Sequence, residues 1–182
     1  RERVGEDKII MVGECCFEGM HGGAGPKIQR NLFWSTTLAG HPGYCYGADA
    51  IWQFNREDEL FGPSANGQTW GNNPWQEAMH WGGSLGIGIG AQHLRTLPWW
   101  RLQPHPEWVE NLNEEEAVKK GPYVAGIPGE LVLIYFPQKY ALWSPKVRLQ
   151  ELPVDTLVTL TYLNPINGDR VPMPDQKVDA DG

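Results

Sequence analysis

Two glutamates near the start of the chain follow an apolar run. Residues 9–12 are apolar, Gly13 ends the run, Glu14 comes next, and Glu18 follows four residues later. In parallel α/β barrels the catalytic groups lie at the carboxyl ends of the strands. A glutamate in that position can act as a nucleophile or as a general acid or base. Glu14 is therefore the first catalytic candidate, with a salt bridge at a barrel mouth as the alternative.

Tryptophan is unusually frequent, with nine in the chain. Its flat face suits stacking on a sugar ring, although packing in the core is the alternative for most of the nine. Trp52 and Gln53 end a second apolar segment, so we expect a sugar platform and a hydroxyl-binding amide at the same mouth as Glu14. Glu18 is either a further hydroxyl ligand or a solvated loop acid. The candidate substrate-binding residues are Glu18, Trp52, Gln53, Trp70 and Asn72.

Several other functions are disfavoured. A net charge of −7 argues against a nucleic-acid partner, because such proteins carry basic patches. No apolar run reaches the roughly 18 residues of a membrane span, and no signal-peptide core is present. The glycines of residues 86–90 lack the context of a dinucleotide loop. The cysteines lack metal-binding spacing and are interpreted as buried free thiols: Cys15, Cys16 and Cys45. We therefore expect no cofactor and no metal.

The elements that would position these groups alternate along the first half of the chain. The predicted order is a buried parallel strand over 8–16, a helix over 27–39, a second strand over 43–54 and a helix over 74–97, which makes two βα units. Residues 55–73 form a long polar loop of a kind that is usually functional or disordered. The glycines of the last helix weaken its prediction, and close packing is the better explanation for them.

The pattern changes after a connector over 98–121. Short segments rich in β-branched and aromatic residues follow, separated by turns, and they predict antiparallel strands. These strands cover 123–127, 131–136, 146–149 and 157–163. The pattern thus predicts α/β plus all-β: two βα units within 1–97, and short antiparallel strands within 122–182.

A set of motifs in fixed order resembles a known family. The motifs are VGE at 12–14, Phe33-Trp34, LAGHPGYCYGADAIWQF at 38–54, WQEAMHWGG at 75–83, LRTLPWWRLQP at 94–104, LVLIYFP at 131–137 and YLNPINGD at 162–169. Together they resemble the C-terminal part of the apiosidase-like glycoside hydrolases. These are (β/α)8 barrels with a C-terminal β-sandwich, which in some members carries a collagen-binding label.

The resemblance implies that 1–97 holds the last two βα units of a TIM-type barrel, with 8–97 spanning barrel strand seven to helix eight. It also implies that 122–182 is a small antiparallel β-sandwich and that the chain is cut at both ends. It implies a segment of a retaining glycosidase that acts on side chains of plant or complex polysaccharides, with Glu14 as the nucleophile. The general acid would lie on an upstream strand, so the implied partners are a carbohydrate and the N-terminal barrel part of the same protein. The alternative is a non-catalytic carbohydrate-binding or structural β-sandwich module.

Overall fold

Helices dominate the first half of the protein and short strands the second. The computed structural model describes residues 9–20, 23–58, 73–109, 121–137 and 152–179. The helices are α1 (Pro26–Leu38), α2 (Asp49–Gln53), α3 (Trp75–Ala78) and α4 (Gly82–Arg95). The strands are β1 (Gln103–Pro104), β2 (Tyr123–Ile127), β3 (Leu131–Tyr135), β4 (Leu157–Val158), β5 (Thr161–Leu163), β6 (Arg170–Pro172) and β7 (Gln176–Lys177).

Two extended segments of the first half run parallel to each other. Val12 pairs with Tyr44, and Glu18 pairs with Ala48, in two parallel β-bridges. Backbone hydrogen bonds of 2.8–3.1 Å hold both pairs. The parallel direction is the one that consecutive βα units require. The predicted strand over 8–16 is nevertheless irregular, because pairing occurs at two positions separated by a stretch without ladder bonds.

The apolar run before Glu14 is not buried, which corrects the prediction. Ile9 is 85 % exposed and Met11 is 62 % exposed. In the described part of the chain, the first extended segment has a partner strand on one side only. The cysteines are free, as predicted, but Cys15 and Cys45 are exposed, which corrects the prediction that they are buried.

Helices α1 and α4 pack closely against each other. The predicted helix over 27–39 is α1, whereas the one predicted over 74–97 is broken at 79–81 into α3 and α4. Three glycines of α4 face α1. A Cβ added to Gly83, Gly86 or Gly90 would collide with the side chains of Gln29, Arg30 and Phe33, respectively. Close packing therefore accounts for the glycines, and the partner surface is a helix.

The segment predicted as a strand over 43–54 changes conformation at Ala48. Residues 49–53 form the single-turn helix α2, which ends at Phe54 in the left-handed region with φ 54°. Trp52 and Gln53 thus lie on a helical turn after the extended segment, and not on the strand itself. A short apolar run bounded by glycines does not distinguish a strand from a helical turn, which explains the error.

The sheet formed by β1, β2 and β3 packs on the two helices. The sheet is antiparallel, with Tyr123 opposite Tyr135 and Ile127 opposite Leu131. Strand β1 and the 3-10 turns Trp99–Arg101 and Pro106–Trp108 fall within the predicted connector, so part of it belongs to the sheet. The main core joins both halves of the chain, and its buried members are Phe33, Trp34, Leu38, Leu94 and Ala125.

The last four strands form two separate antiparallel pairs, β4 with β7 and β5 with β6. The strand predicted over 157–163 is interrupted at Thr159 and Leu160, while 146–149 lies outside the described residues. The described strands therefore form one three-stranded and two two-stranded sheets, and the β-sandwich stays a prediction. Within the described ranges, no helix is long and apolar enough to cross a bilayer.

Candidate active site

Glu14 lies in a bulge between the two parallel bridges. Five residues, 13–17, separate Val12 from Glu18, whereas three residues, 45–47, separate their partners Tyr44 and Ala48. The first segment must therefore bow away from the second between the bridges. Bulges of this kind are frequent beside active sites, where they redirect a side chain. Glu14 is exposed in the bulge, where a ligand can reach its carboxylate.

Glu18 closes the bulge and is almost completely buried, with 3 % of its surface exposed. The backbone N–H of Gly83 donates to both carboxylate oxygens, at 3.1 and 3.0 Å, and the Tyr46 hydroxyl donates to Oε2 at 2.6 Å. Gly83 lies in the first turn of α4, where free backbone N–H groups and the helix dipole favour a carboxylate. The oxygens of Glu18 accept hydrogen bonds within the protein, which disfavours its predicted role as a substrate ligand. Its burial also corrects the alternative of a solvated loop acid.

Tyr46 and Asp49 complete a buried polar group around Glu18. Burial raises the pKa of the Tyr46 hydroxyl, and the hydrogen bond to Glu18 raises it further. Asp49 is fully buried at the start of α2, and its Oδ1 accepts the Ala50 N–H at 2.6 Å. Burial also raises the pKa of the Asp49 carboxyl. The Tyr46 hydroxyl therefore keeps its proton at neutral pH and donates it to Glu18 in a hydrogen bond.

An aromatic pair joins the bulge to α2. The rings of Phe17 and Trp52 are 6.3 Å apart, and the Phe17 ring occupies the space over Gly47 in which a Cβ would collide with it. Trp52 is 58 % exposed. An indole with this exposure can stack on a sugar ring. The contact with Phe17 brings this surface to the segment that carries Glu14.

Gln53 lies on the same turn as Trp52 and is buried, with 9 % exposed. Its Oε1 and the Oδ2 of Asp49 have no protein hydrogen-bond partner in the described part of the chain. Buried acceptors of this kind normally bind a donor, from water or from a ligand. Gln53 can thus accept a hydrogen bond from a hydroxyl group. Its side chain is less accessible than predicted for a residue at the mouth of a barrel.

The sequence did not identify all the residues around the site. Tyr46, Phe17 and Gly83 were missed, although the alternation of Tyr44 and Tyr46 was a signal for two aromatic side chains on one face of an extended segment. Trp70 and Asn72 lie outside the described residues. Among the residues that are described, no group of three His, Cys, Asp or Glu side chains could hold a metal ion.

This chain is similar to one protein family in sequence and to solved glycoside hydrolase structures in fold. A family model described as "Apiosidase-like, catalytic domain" matches residues 3–101. The structure also resembles a glycoside hydrolase family 5 protein from Bacteroides vulgatus, with TM-score 0.64 and 15 % identity over 85 % of this chain and 31 % of that one. A second structure, described as a glycoside hydrolase, gives TM-score 0.69 and 15 % identity over 92 % of this chain and 36 % of that one.

The identity to both structures is 15 %, so the likeness concerns the fold alone. This chain resembles part of the barrel fold of these glycoside hydrolases. This chain spans about a third of the length of each of them. No curated protein matches the chain.

Proposed function

We propose a function on the premise that this chain belongs to the family of apiosidase-like catalytic domains: it is the part of a retaining glycoside hydrolase that supplies the nucleophile, Glu14. The observation that carries the proposal is the exposed position of Glu14 in a bulge between two parallel pairings. This position lies within the residues that the family model matches. The match favours a catalytic role over a binding module, because it ends at residue 101, before the strand-rich half.

The chemistry needs two carboxyl groups. In a retaining enzyme, Glu14 attacks the anomeric carbon and forms a glycosyl-enzyme, while a second carboxyl group about 5–5.5 Å away protonates the leaving oxygen. That group later deprotonates the water that releases the sugar. Glu18 is unsuited to the second role, because its oxygens accept hydrogen bonds from Gly83 and Tyr46. The general acid therefore comes from a strand upstream of this segment in the full-length protein.

The substrate is a side chain of a plant or other complex polysaccharide. Trp52 provides a platform for a sugar ring, and Gln53 provides an acceptor for a hydroxyl group. Support comes from the 58 % exposure of Trp52 and from Oε1 of Gln53, which has no protein hydrogen-bond partner among the described residues. Trp70 and Asn72 remain proposed contacts from the long loop.

The upstream part of the barrel is the proposed partner of this segment. Ile9, Ile10 and Met11 are 46–85 % exposed, and an additional barrel strand would cover such an apolar edge. The isolated segment should accordingly release no reducing sugar, whereas addition of the upstream part should restore hydrolysis. Hydrolysis by the isolated segment would contradict the proposal that the nucleophile and the general acid lie on different parts of the protein.

The nucleophile is tested by Glu14→Gln in the full-length enzyme. The amide keeps the shape but cannot attack, so turnover should fall by several orders of magnitude. Glu77→Gln is a matched control, because Glu77 is an exposed glutamate in the first turn of α3. Undiminished turnover of the Glu14 variant would remove this residue from the mechanism.

The retaining mechanism needs its own test. A 2-fluoro glycoside with a good leaving group should leave a covalent sugar on the peptide that contains Glu14, detectable by mass spectrometry. NMR of the first product should show the anomeric configuration of the substrate. An inverted product would contradict retention and leave glycoside hydrolysis itself standing.

A further inference from the structure

We infer that Glu18 is a positioning residue that holds the Glu14 bulge in its catalytic shape by fastening it to the first turn of α4. The inference rests on the proposed function of Glu14. It assigns to the buried glutamate a role distinct from binding substrate, and it makes the start of a helix 65 residues away part of the catalytic apparatus.

The backbone of Glu18 forms the downstream anchor of the bulge. Its N–H donates to the Gly47 carbonyl at 2.8 Å, and its carbonyl accepts the Asp49 N–H at 3.0 Å. Val12 forms the upstream anchor through Gly43 and Cys45 in the same pattern. Since residues 13–17 connect these two anchors, any shift of Glu18 changes the path that carries Glu14.

The side chain of Glu18 fixes that anchor to the helix layer. The Gly83 N–H donates to both of its oxygens, and the Tyr46 hydroxyl donates to one of them. A carboxylate buried without such donors would be strongly unfavourable, so the contacts define one position for the side chain. The anchor can therefore move only if these hydrogen bonds break.

The start of α4 is shaped around this carboxylate. A Cβ on Gly83 would collide with Oε2 of Glu18, and it would lie 2.8 Å from the carboxylate carbon. Glycine at this position is thus a steric requirement of the contact. The neighbouring Gly82 likewise faces Pro26 at the start of α1, so both helices begin close to the bulge.

The test uses Glu18→Ala, Glu18→Gln and Gly83→Ala in the full-length enzyme. Glu18→Ala should lower kcat by about tenfold to 100-fold, because a small misplacement of a reacting group has costs of that size. KM should change less than twofold, since Glu18 does not touch substrate. Glu18→Gln should recover most of kcat, because its amide oxygen accepts the Gly83 N–H and its amide NH2 can donate to the Tyr46 hydroxyl oxygen.

Gly83→Ala should also lower kcat, because its added Cβ would collide with Oε2 of Glu18 as well as with the side chain of Gln29. Gly88→Ala is the matched control on the same helix, because no atom lies within 4 Å of its added Cβ, and it should keep the parental kcat.

Parental kcat in Glu18→Ala, or no recovery of kcat in Glu18→Gln, would overturn the inference. If Glu18→Ala does not fold, Tyr46→Phe decides, because it removes one donor and keeps the Gly83 contacts. An unchanged kcat in Tyr46→Phe would also overturn the inference. Failure of the proposed function is distinguishable, since Glu14→Gln would then retain activity whatever Glu18 does.

Discussion

The ring of Phe33 in α1 lies directly against the backbone of Gly90 in α4, and no Cβ fits between them. Phe33 is 7 % exposed and belongs to the core that also contains Leu94 and Ala125. The contact sets the distance between the two helices. It also brings α4 close enough for its first turn to reach Glu18 on the parallel segment.

Substitutions at two glycines of α4 should have opposite effects on stability. Gly90→Ala forces the Phe33 ring to move and should cost about 1–3 kcal/mol, the usual range for overpacking a core. Gly88→Ala enters open space in the helix interior and should stabilise the protein by up to about 1 kcal/mol.

Urea denaturation of both glycine variants measures the two changes in the free energy of unfolding. Equal effects of the two alanines would contradict close helix packing, because helix propensity alone would treat the positions alike.

Trp52→Ala should weaken substrate binding, with KM rising several-fold to about tenfold, because stacking of an aromatic ring contributes on the order of 1 kcal/mol. Phe54→Ala is the matched control. Phe54 is 59 % exposed, similar to Trp52, but its ring stacks on Trp75 of α3 at 5.6 Å.

The Phe54 variant should therefore lose stability and keep its KM. Kinetics and thermal unfolding of both variants separate the two roles. A larger rise in KM for Phe54→Ala than for Trp52→Ala would mean that Phe54, and not Trp52, stacks on the substrate.

Acidification should weaken the contact between α4 and the β5–β6 pair. The Arg170 guanidinium donates toward Nδ1 of His93 at 3.0 Å. Burial lowers the pKa of His93, and the positive charge of Arg170 lowers it further. The folded state thus prefers neutral histidine. The stabilising effect is complete above the unfolded-state pKa of about 6.5 and is lost as the pH falls below it toward the lower folded-state pKa.

His93→Asn keeps an acceptor for Arg170 and removes the titration. The melting temperature of this variant should fall less than that of the parent between pH 7 and pH 5. Parallel curves for the two proteins would show that His93 makes no contribution to the pH dependence.

The ion pair between Arg101 and Glu130 should contribute little to stability. Its two hydrogen bonds of 2.9 and 2.7 Å have good geometry, but both side chains are about half exposed. Exposed pairs contribute about 0.2–1 kcal/mol. A double-mutant cycle with alanine at both positions should give a coupling energy in that range at low salt.

The coupling energy between Arg101 and Glu130 should decrease at 1 M salt, where screening is strong. A value several times larger, or one insensitive to salt, would mean that the pair is shielded from solvent.

Local patterns in the sequence determined much of the fold. The spacing of apolar residues predicted α1 to within one residue at each end, and β2 and β3 followed from runs of β-branched and aromatic residues. The glycines of α4 correctly indicated close packing. The two extended segments were also expected to be parallel. These features depend on neighbours a few positions apart, and the periodicity of a helix or strand reports them directly.

Other features depend on residues far apart in the chain. The sequence suggested that Glu18 was a substrate ligand or a solvated acid, but tertiary structure places its carboxylate on Gly83, 65 residues away. The bulge that presents Glu14 exists only because the two bridges span unequal numbers of residues in the two segments. Residues 49–53 were predicted as the end of a strand but form the turn of α2. A short apolar run does not determine its own conformation, which depends on the residues that pack around it. Local sequence thus singled out Glu14 as the proposed nucleophile, whereas long-range hydrogen bonds and helix packing decide where its segment lies and what holds that segment there.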